Sequence, residues 1–400
     1  MPETQPFQIS DAEDDRPQRQ PQPEDMGEFL KQEVARLGLD IPLQDPHLQK
    51  ISVLGAGANG QVTVEQDLIL GRNIAVKTIH EHLRFNPSMV ERMVREAQAA
   101  AQLEHPNIVP IYSLGISEKK GVYFTMKRLH GDSLRNIIQE LGARNPAYTW
   151  IYPMSRRISI FLKICYGIAY AHSMGVLHRD LKPENIRVGE YGEVTIIDWG
   201  LVRELNANRR GGQSYRRGFT HSQDTTGDIT TIRTSNPTID GEIAGTPRYM
   251  SPEQANAKNS NLDVRSDIYT LGVILYELLT CRNPFQDLEE NRDIINAVRK
   301  GDFPRPRQIP GCGGIPVELE AICLKALSLS RTLRYQTVKR MISDIFAYQD
   351  NRDTTAYHAG PIRKTMKYLS RHPVTTAVLL TVIFSFVTTS IILHFYGVIQ

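Results

Sequence analysis

Between Ile51 and Met126 apolar residues recur at every second position in short runs, and beyond Met126 they recur at helical spacing. ISVLGAGANGQVTV reads as strand, glycine turn, strand, and NIAVKTI and VYFTM are further strands. One helix interrupts them. It opens at Asn86-Pro87, a capping residue followed by proline at the first helical position, and runs through SMVERMVREAQAAAQL. After Met126 helices dominate, over Ser155–Ser173, Asp267–Thr280, Pro316–Leu329 and Val338–Gln349. Strands first and helices afterwards predict an α+β fold of two lobes with a cleft between them, a small β-rich lobe and a larger α-helical one. We assign residues 48–350 to this one domain.

The two ends read differently. Residues 1–25 hold five prolines, five glutamines and seven acids against two arginines. Such a stretch buries too little to offset its chain entropy, so the tail 1–47 is expected to be mostly disordered. Within it, Met26 to Leu39 has the pattern of a short amphipathic helix, with Phe29, Leu30, Val34 and Leu37 on one face. At the other end Val374 to Leu393 is uncharged for 20 residues, though seven are Ser or Thr. That length matches a hydrocarbon core of about 30 Å, which predicts a C-terminal transmembrane helix over 374–393. Arg363, Lys364, Lys367 and Arg371 precede it in a basic linker, 351–373, and 394–400 carries no Lys or Arg. The asymmetry predicts a single-pass membrane protein with its domain cytoplasmic and 394–400 extracytoplasmic.

A formal charge of +3 is too small to predict a nucleic-acid surface, so no nucleic acid is expected as a partner. The cysteines Cys165, Cys281, Cys312 and Cys323 form no C-x-x-C pair, which argues against zinc and against a disulfide framework.

The chemistry sits in a few short motifs. Gly55-Ala56-Gly57-Ala58-Asn59-Gly60 matches G-x-G-x-x-G, a pattern of little specificity alone. Gln61-Val62-Thr63-Val64 then continues as a strand, whereas a dinucleotide-binding loop opens a helix. Glycines there let backbone amides approach phosphate oxygens closely. Lys77 ends the strand IAVK, and an ammonium that touches phosphates needs a carboxylate to hold it. Glu91 and Glu96 on the following helix lie roughly 140° apart, so only one can face the cleft, and Glu96 is our assignment. Further on come His178-Arg179-Asp180-Leu181-Lys182-Pro183-Glu184-Asn185 and, thirteen residues past Asn185, Asp198-Trp199-Gly200.

With GTPRYMSPE at 245–253, the order of these motifs resembles the eukaryotic-type (Hanks-type) protein kinase family. REAQAAAQLEHPNIV and RSDIYTLGVILYELLT look like its bacterial membrane-anchored Ser/Thr branch. The resemblance covers about 300 residues and implies ATP and Mg²⁺ as cofactors, with Mn²⁺ as an alternative metal, and protein Ser/Thr hydroxyls as acceptors. It implies Asp180 as the group taking the hydroxyl proton, Lys182 beside the transferring phosphoryl, and Asn185 and Asp198 as metal ligands. The ATP site would comprise Leu54, Gly55, Ala56, Gly57, Ala58, Asn59, Gly60, Val62, Ala75, Lys77, Glu96, Met126, Lys127 and Leu129. Met126 would be its gatekeeper, and Lys127 and Leu129 would offer backbone bonds to adenine. Glu253 with Arg334, and Asp267, resemble structural braces.

Two residues depart from the pattern. Trp199 replaces the usual Phe, and Arg187 stands where an apolar pocket floor is usual. The stretch 204–244 is a long insertion in the activation segment with ten Ser or Thr, Ser214, Thr220, Ser222, Thr225, Thr226, Thr230, Thr231, Thr234, Ser235 and Thr238. Autophosphorylation there, with Arg179 receiving the phosphate and a homodimer as one route, is expected from the resemblance. A nucleotide-binding pseudokinase is the rival reading. Lys77, Asp180 and Asp198, which such proteins lose, are all present.

Overall fold

A computed structural model describes residues 24–44, 47–57, 59–200, 203–204, 246–257, 262–357, 360, 365 and 373–397. They divide into two compact units, the first built from residues up to Val94 with Leu114–Phe124, the second from Arg95–Ser113 and the described residues from Thr125 onward. The expected β-rich and α-helical halves are both present.

The first unit opens with helix α1, Glu24–Arg36. Its Met26, Leu30 and Val34 are buried, a stripe at four-residue spacing that faces one side of the helix. Phe29 lies 5.4 Å from Phe85, ring to ring, and Leu43 makes a parallel bridge to Ile116. Strands β1 (Leu48–Ala56), β2 (Gly60–Asp67) and β3 (Arg72–Ile79) follow as an antiparallel meander. Between β2 and β3, Asp67 accepts from the amides of Ile69 and Leu70, and Gly71 takes φ +65° to close the turn. Helix α2 (Pro87–Ala101) comes next, with Asn86 accepting from the Ser88 amide at its start. Strands β4 (Ile111–Ser117) and β5 (Gly121–Lys127) complete a five-stranded sheet in the order β1-β2-β3-β5-β4.

The second unit holds a short strand β6 (Asp132–Ser133) and helices α3 (Leu134–Gly142), α4 (Pro146–Ile151) and α5 (Met154–Ser173). Strands β7 (Val176–Leu177), β8 (Ile186–Val188), β9 (Val194–Ile196) and β10 (Arg203–Glu204) are two or three residues each. They carry the loops where the chemistry is expected. Helices α6 (Pro252–Ala255), α7 (Val264–Thr280), α8 (Asn291–Lys300), α9 (Val317–Ala326) and α10 (Val338–Gln349) follow. Every residue of α7 from Ser266 to Thr280 is buried, so this helix is the axis of the unit's core, packed against α5 and α9. Asp263 caps its start, and Cys281 ends it in the left-handed conformation at φ 57°. Cys165 and Cys323 are buried free thiols, and burial pushes both above their ordinary pKa.

The C-terminal expectation is corrected. Helix α11 (Pro373–Gly397) forms, but among the described residues no helix is long and apolar enough to cross a membrane. Hydroxyls interrupt the apolar surface, and Thr381, Thr388 and Thr389 donate back to the carbonyls of Ala377, Phe384 and Ser385. The transmembrane helix, the membrane as a partner and the single-pass location are withdrawn with it.

Candidate active site

In the second unit, a tight turn after β7 carries His178-Arg179-Asp180. Asp267, on the first turn of α7 and 1% exposed, holds that turn. Its Oδ2 accepts from the His178 amide at 2.9 Å and its Oδ1 from the Arg179 amide at 2.9 Å. His172 Nε2 adds a contact of 2.7 Å. Burial would raise the Asp267 carboxyl, yet the hydrogen bond and charge of His172 and the backbone donors hold it below its ordinary pKa. Arg179 takes φ +69°, a left-handed conformation rare outside glycine, which two amide bonds and the Gln254 side chain on its carbonyl (2.8 Å) sustain. Gln254 belongs to a capping box with Ser251 at the start of α6, so that helix start and the turn 178–180 are fastened together.

Asp180 is oriented from both sides. Its Oδ2 accepts from Lys182 Nζ at 2.9 Å, and its Oδ1 from the Thr246 amide at 3.1 Å and the Thr246 hydroxyl at 3.3 Å. Lys182 Nζ also reaches the Thr246 hydroxyl at 3.0 Å. The three side chains form a closed triangle that leaves the carboxylate 17% exposed. Asn185 donates through Nδ2 to the Asp180 carbonyl at 3.1 Å, which turns its amide oxygen away from that bond.

Asp198 follows β9 at φ +63°, again left-handed. A Cβ built at Gly200 would lie 3.2 Å from Glu96 Oε2 and 3.3 Å from Asp198 Oδ1, so both carboxylates approach the same glycine. Glu96 is buried, while Glu91 on the same helix is only half-buried. Trp199 is 1% exposed and packs on the His178 ring at 4.6 Å. The indole thus fills the interior behind the turn 178–180, and burial holds the His178 imidazole below its ordinary pKa against the pull of Asp267. A carboxylate and an amide oxygen are hard donors that suit Mg²⁺, which keeps water and phosphate oxygens as its remaining ligands.

In the first unit, Val62 pairs with Lys77 and Val64 with Ala75 across β2 and β3. Val62, Ala75 and Lys77 therefore share one face of the sheet. Lys77 Nζ stands 5.8 Å over the Phe124 ring. Leu54, Gly55 and Ala56 end β1, the Gly57 amide donates to the Gly60 carbonyl at 2.8 Å, and His80 Nε2 lies 2.7 Å from the Gly57 carbonyl. The Asn59 carbonyl accepts from the His80 amide. A Cβ at Gly60 would sit 2.2 Å from the Thr78 carbonyl oxygen. Gly60→Ala is therefore expected to destabilise the fold by about 1–3 kcal/mol, by displacing backbone, and to raise the KM for ATP. Denaturant unfolding and steady-state kinetics check this together. Ala58 lies outside the described residues, as does 205–245 with all ten Ser and Thr of the insertion.

Met126 and Lys127 end β5, and Leu129 follows two residues on. Met126 and Leu129 are half-buried, Lys127 is exposed, and its amide donates to the Pro110 carbonyl. Arg187 sits in β8, paired with Thr195 on one side and Ser133 on the other.

Two arrangements escaped the sequence reading. His172 as the partner of Asp267 is one. The other joins Arg135 of α3 to Glu184 (2.8 Å), to Glu277 of α7 (3.4 Å) and to the Tyr249 hydroxyl. Burial pushes the Glu277 carboxyl above its ordinary pKa, while Arg135, Asn283 and Tyr249 pull it back. The partners are separated by up to 142 residues, and no local pattern announces them.

Residues 48–359 match the protein kinase domain family. The chain is 36% identical over 320 residues to the serine/threonine-protein kinase PknD of Protochlamydia amoebophila, covering 78% of this chain and 31% of that protein. It is 32% identical over 328 residues to PknD of Chlamydia pneumoniae, covering 81% and 33%, and 33% identical over 299 residues to PknD of Chlamydia muridarum, covering 73% and 30%. The chain belongs to the protein kinase family, with a Hanks-type, ATP- and Mg²⁺-dependent Ser/Thr kinase domain. It spans about a third of the length of these relatives, so the activity, substrates and partners of the whole protein are matters of proposal.

Proposed function

We propose that this chain transfers the γ-phosphoryl of ATP to Ser and Thr hydroxyls of proteins, and that it phosphorylates its own residues within 205–245. Asp180 accepts the hydrogen bond of the incoming hydroxyl and takes its proton as the new O–P bond forms and the bond from phosphorus to the bridging oxygen of ADP breaks. Lys182 neutralises negative charge on the transferring group. Asn185 and Asp198 hold Mg²⁺, which when bound offsets charge on the phosphate oxygens. The glycine loop 55–60 covers the phosphates, Lys77 contacts them with Glu96 as its carboxylate, and Val62, Ala75, Met126, Lys127 and Leu129 receive the adenine.

One observation carries the reading. The two Asp180 oxygens are divided between Lys182 and Thr246, so a carboxylate is fixed in orientation by groups that do not themselves react. The burial of Glu96 and its approach to Gly200 beside Asp198 support the choice of Glu96 over Glu91.

Incubation of the purified chain with radiolabelled ATP, Mg²⁺ and a general protein acceptor is expected to label Ser and Thr in the acceptor. Mass spectrometry of the kinase is expected to locate phosphate within 205–245. Absence of label in both proteins removes the kinase reading; label in the acceptor with an unmodified 205–245 removes only the autophosphorylation.

A further inference from the structure

Alternation along a strand sends neighbouring side chains to opposite faces. Lys77 therefore points to one side of the sheet and Thr78 to the other, together with Gln61, Thr63 and Glu65 of β2 and, across the β1–β2 ladder, Lys50. On that second face lies a pocket of about 330 Å³, which no step of phosphoryl transfer uses. All of its lining belongs to the first unit.

The floor is polar and buried. Thr63 and Glu65 are each 2% exposed and Thr78 is 5% exposed. The one acid is already satisfied, for Glu65 accepts from Lys120 Nζ at 2.7 and 2.6 Å and from the Thr63 hydroxyl at 2.9 Å. Two other groups are not. The Thr78 hydroxyl and the Arg84 Nε–H are buried and have no hydrogen-bond partner. Arg84 cannot swing away cheaply, because its Nη1 donates to the Lys119 carbonyl at 2.9 Å. A buried polar group without a partner is unfavourable, so two in one pocket require a reason.

We infer that this pocket binds a phosphate group, with the Thr78 hydroxyl and Arg84 Nε–H donating to its oxygens. Three lines of chemistry converge. Both orphan groups are able to donate. The wall adds Lys50 and Arg84 beyond the Glu65–Lys120 pair, an excess of positive charge. A phosphate monoester carries a charge of about −1.5 to −2 and three acceptor oxygens, a closer match than the single charge of a carboxylate. A water molecule would satisfy a donor but would leave the charge excess unanswered. The phosphate comes either free in solution or on a phosphorylated side chain, and both present the same oxygens. Lys50 and Gln61 lie on the strands that carry the glycine loop, so occupancy stiffens the base of that loop from the face opposite Lys77.

The test uses the full chain and calorimetric titration at constant ionic strength, with inorganic phosphate in one arm and a phosphoserine peptide in the other. Sodium chloride and the unphosphorylated peptide are the controls. Saturable binding with a Kd on the order of 1 mM or tighter is expected in at least one arm, and which arm identifies the source. Arg84→Gln is expected to weaken binding tenfold or more, and Thr78→Val severalfold. Lys77→Met, on the other face, leaves it unchanged. Because the Thr78 hydroxyl has no partner, Thr78→Val also keeps the thermal midpoint in chloride at or above that of the wild type. This readout stands even where Arg84→Gln fails to fold. Absence of saturable binding in both arms, or equal affinity in wild type and Thr78→Val, overturns the inference. Loss of binding in Lys77→Met overturns it as well, by assigning the phosphate to the nucleotide site.

Discussion

Asp180→Asn is expected to lower the rate of phosphoryl transfer by about 10²–10⁴-fold, the usual contribution of a positioned general base. The exchange is nearly isosteric, and its single amide oxygen keeps an acceptor for either Thr246 or Lys182 but not for both. What the amide cannot do is take up the hydroxyl proton. Affinity for ATP should change little, because Asp180 bonds within the catalytic turn and to Thr246 rather than to the residues assigned to the nucleotide. The measurement is single-turnover phosphorylation of a protein acceptor beside ATP binding by titration. Equal transfer by both proteins would sink the assignment of Asp180 as base. An equal loss of ATP affinity would instead make Asp180 a binding group.

Arg334→Ala carries the largest expected effect on stability. Arg334 is among the largest fully buried side chains, and its guanidinium forms a two-point pair with Glu253 at 2.8 and 3.0 Å. It donates further to the carbonyls of Ser328 and Arg265 and lies 5.0 Å from the Tyr269 ring. Removing it leaves Glu253, 7% exposed, with the Ser266 hydroxyl as its remaining side-chain donor. Truncating one partner of a buried pair typically lowers stability by about 3–5 kcal/mol. The variant should unfold at markedly lower denaturant concentration.

A pH signature separates this pair from simple packing. Burial alone would raise the Glu253 carboxyl, but Arg334, by hydrogen bond and charge, and Ser266 hold it below its ordinary value. A depressed folded pKa means the pair's contribution is complete above the unfolded pKa of about 4.3 and is lost as pH falls through the folded one. Wild type should therefore lose this increment on acidification, while Arg334→Ala, lacking it already, shows a shallower decline below about pH 4. A decline of the same steepness in both would show that Glu253 gains nothing from its partner.

Much of the site was legible because its chemistry is written in short contiguous motifs. The strands that carry Val62, Ala75 and Lys77 follow from short contiguous patterns, while the roles proposed for Asp180, Asn185 and Asp198 came through resemblance. The two braces were legible only through resemblance, since Glu253 and Arg334 stand 81 residues apart. Nothing local distinguishes His172 or Arg135 from other polar residues on helices α5 and α3. The transmembrane reading failed for a related reason. A run of uncharged residues reports composition along a line, and among the described residues no helix is both long and apolar enough to cross a membrane.

By itself the chain determined which segments are strands and helices, the order of its catalytic motifs and the conformations its glycines and caps allow. These depend on side-chain periodicity and on steric preferences acting over one or two turns. The tertiary structure alone decided which buried charges meet, how Thr246 and Lys182 divide the oxygens of Asp180, and that Thr78 and Arg84 face one basic pocket. Several of these pairings, such as Thr246 with Asp180 and Arg334 with Glu253, join residues 66 and 81 positions apart, and only packing in three dimensions selects among the many partners each polar group has available.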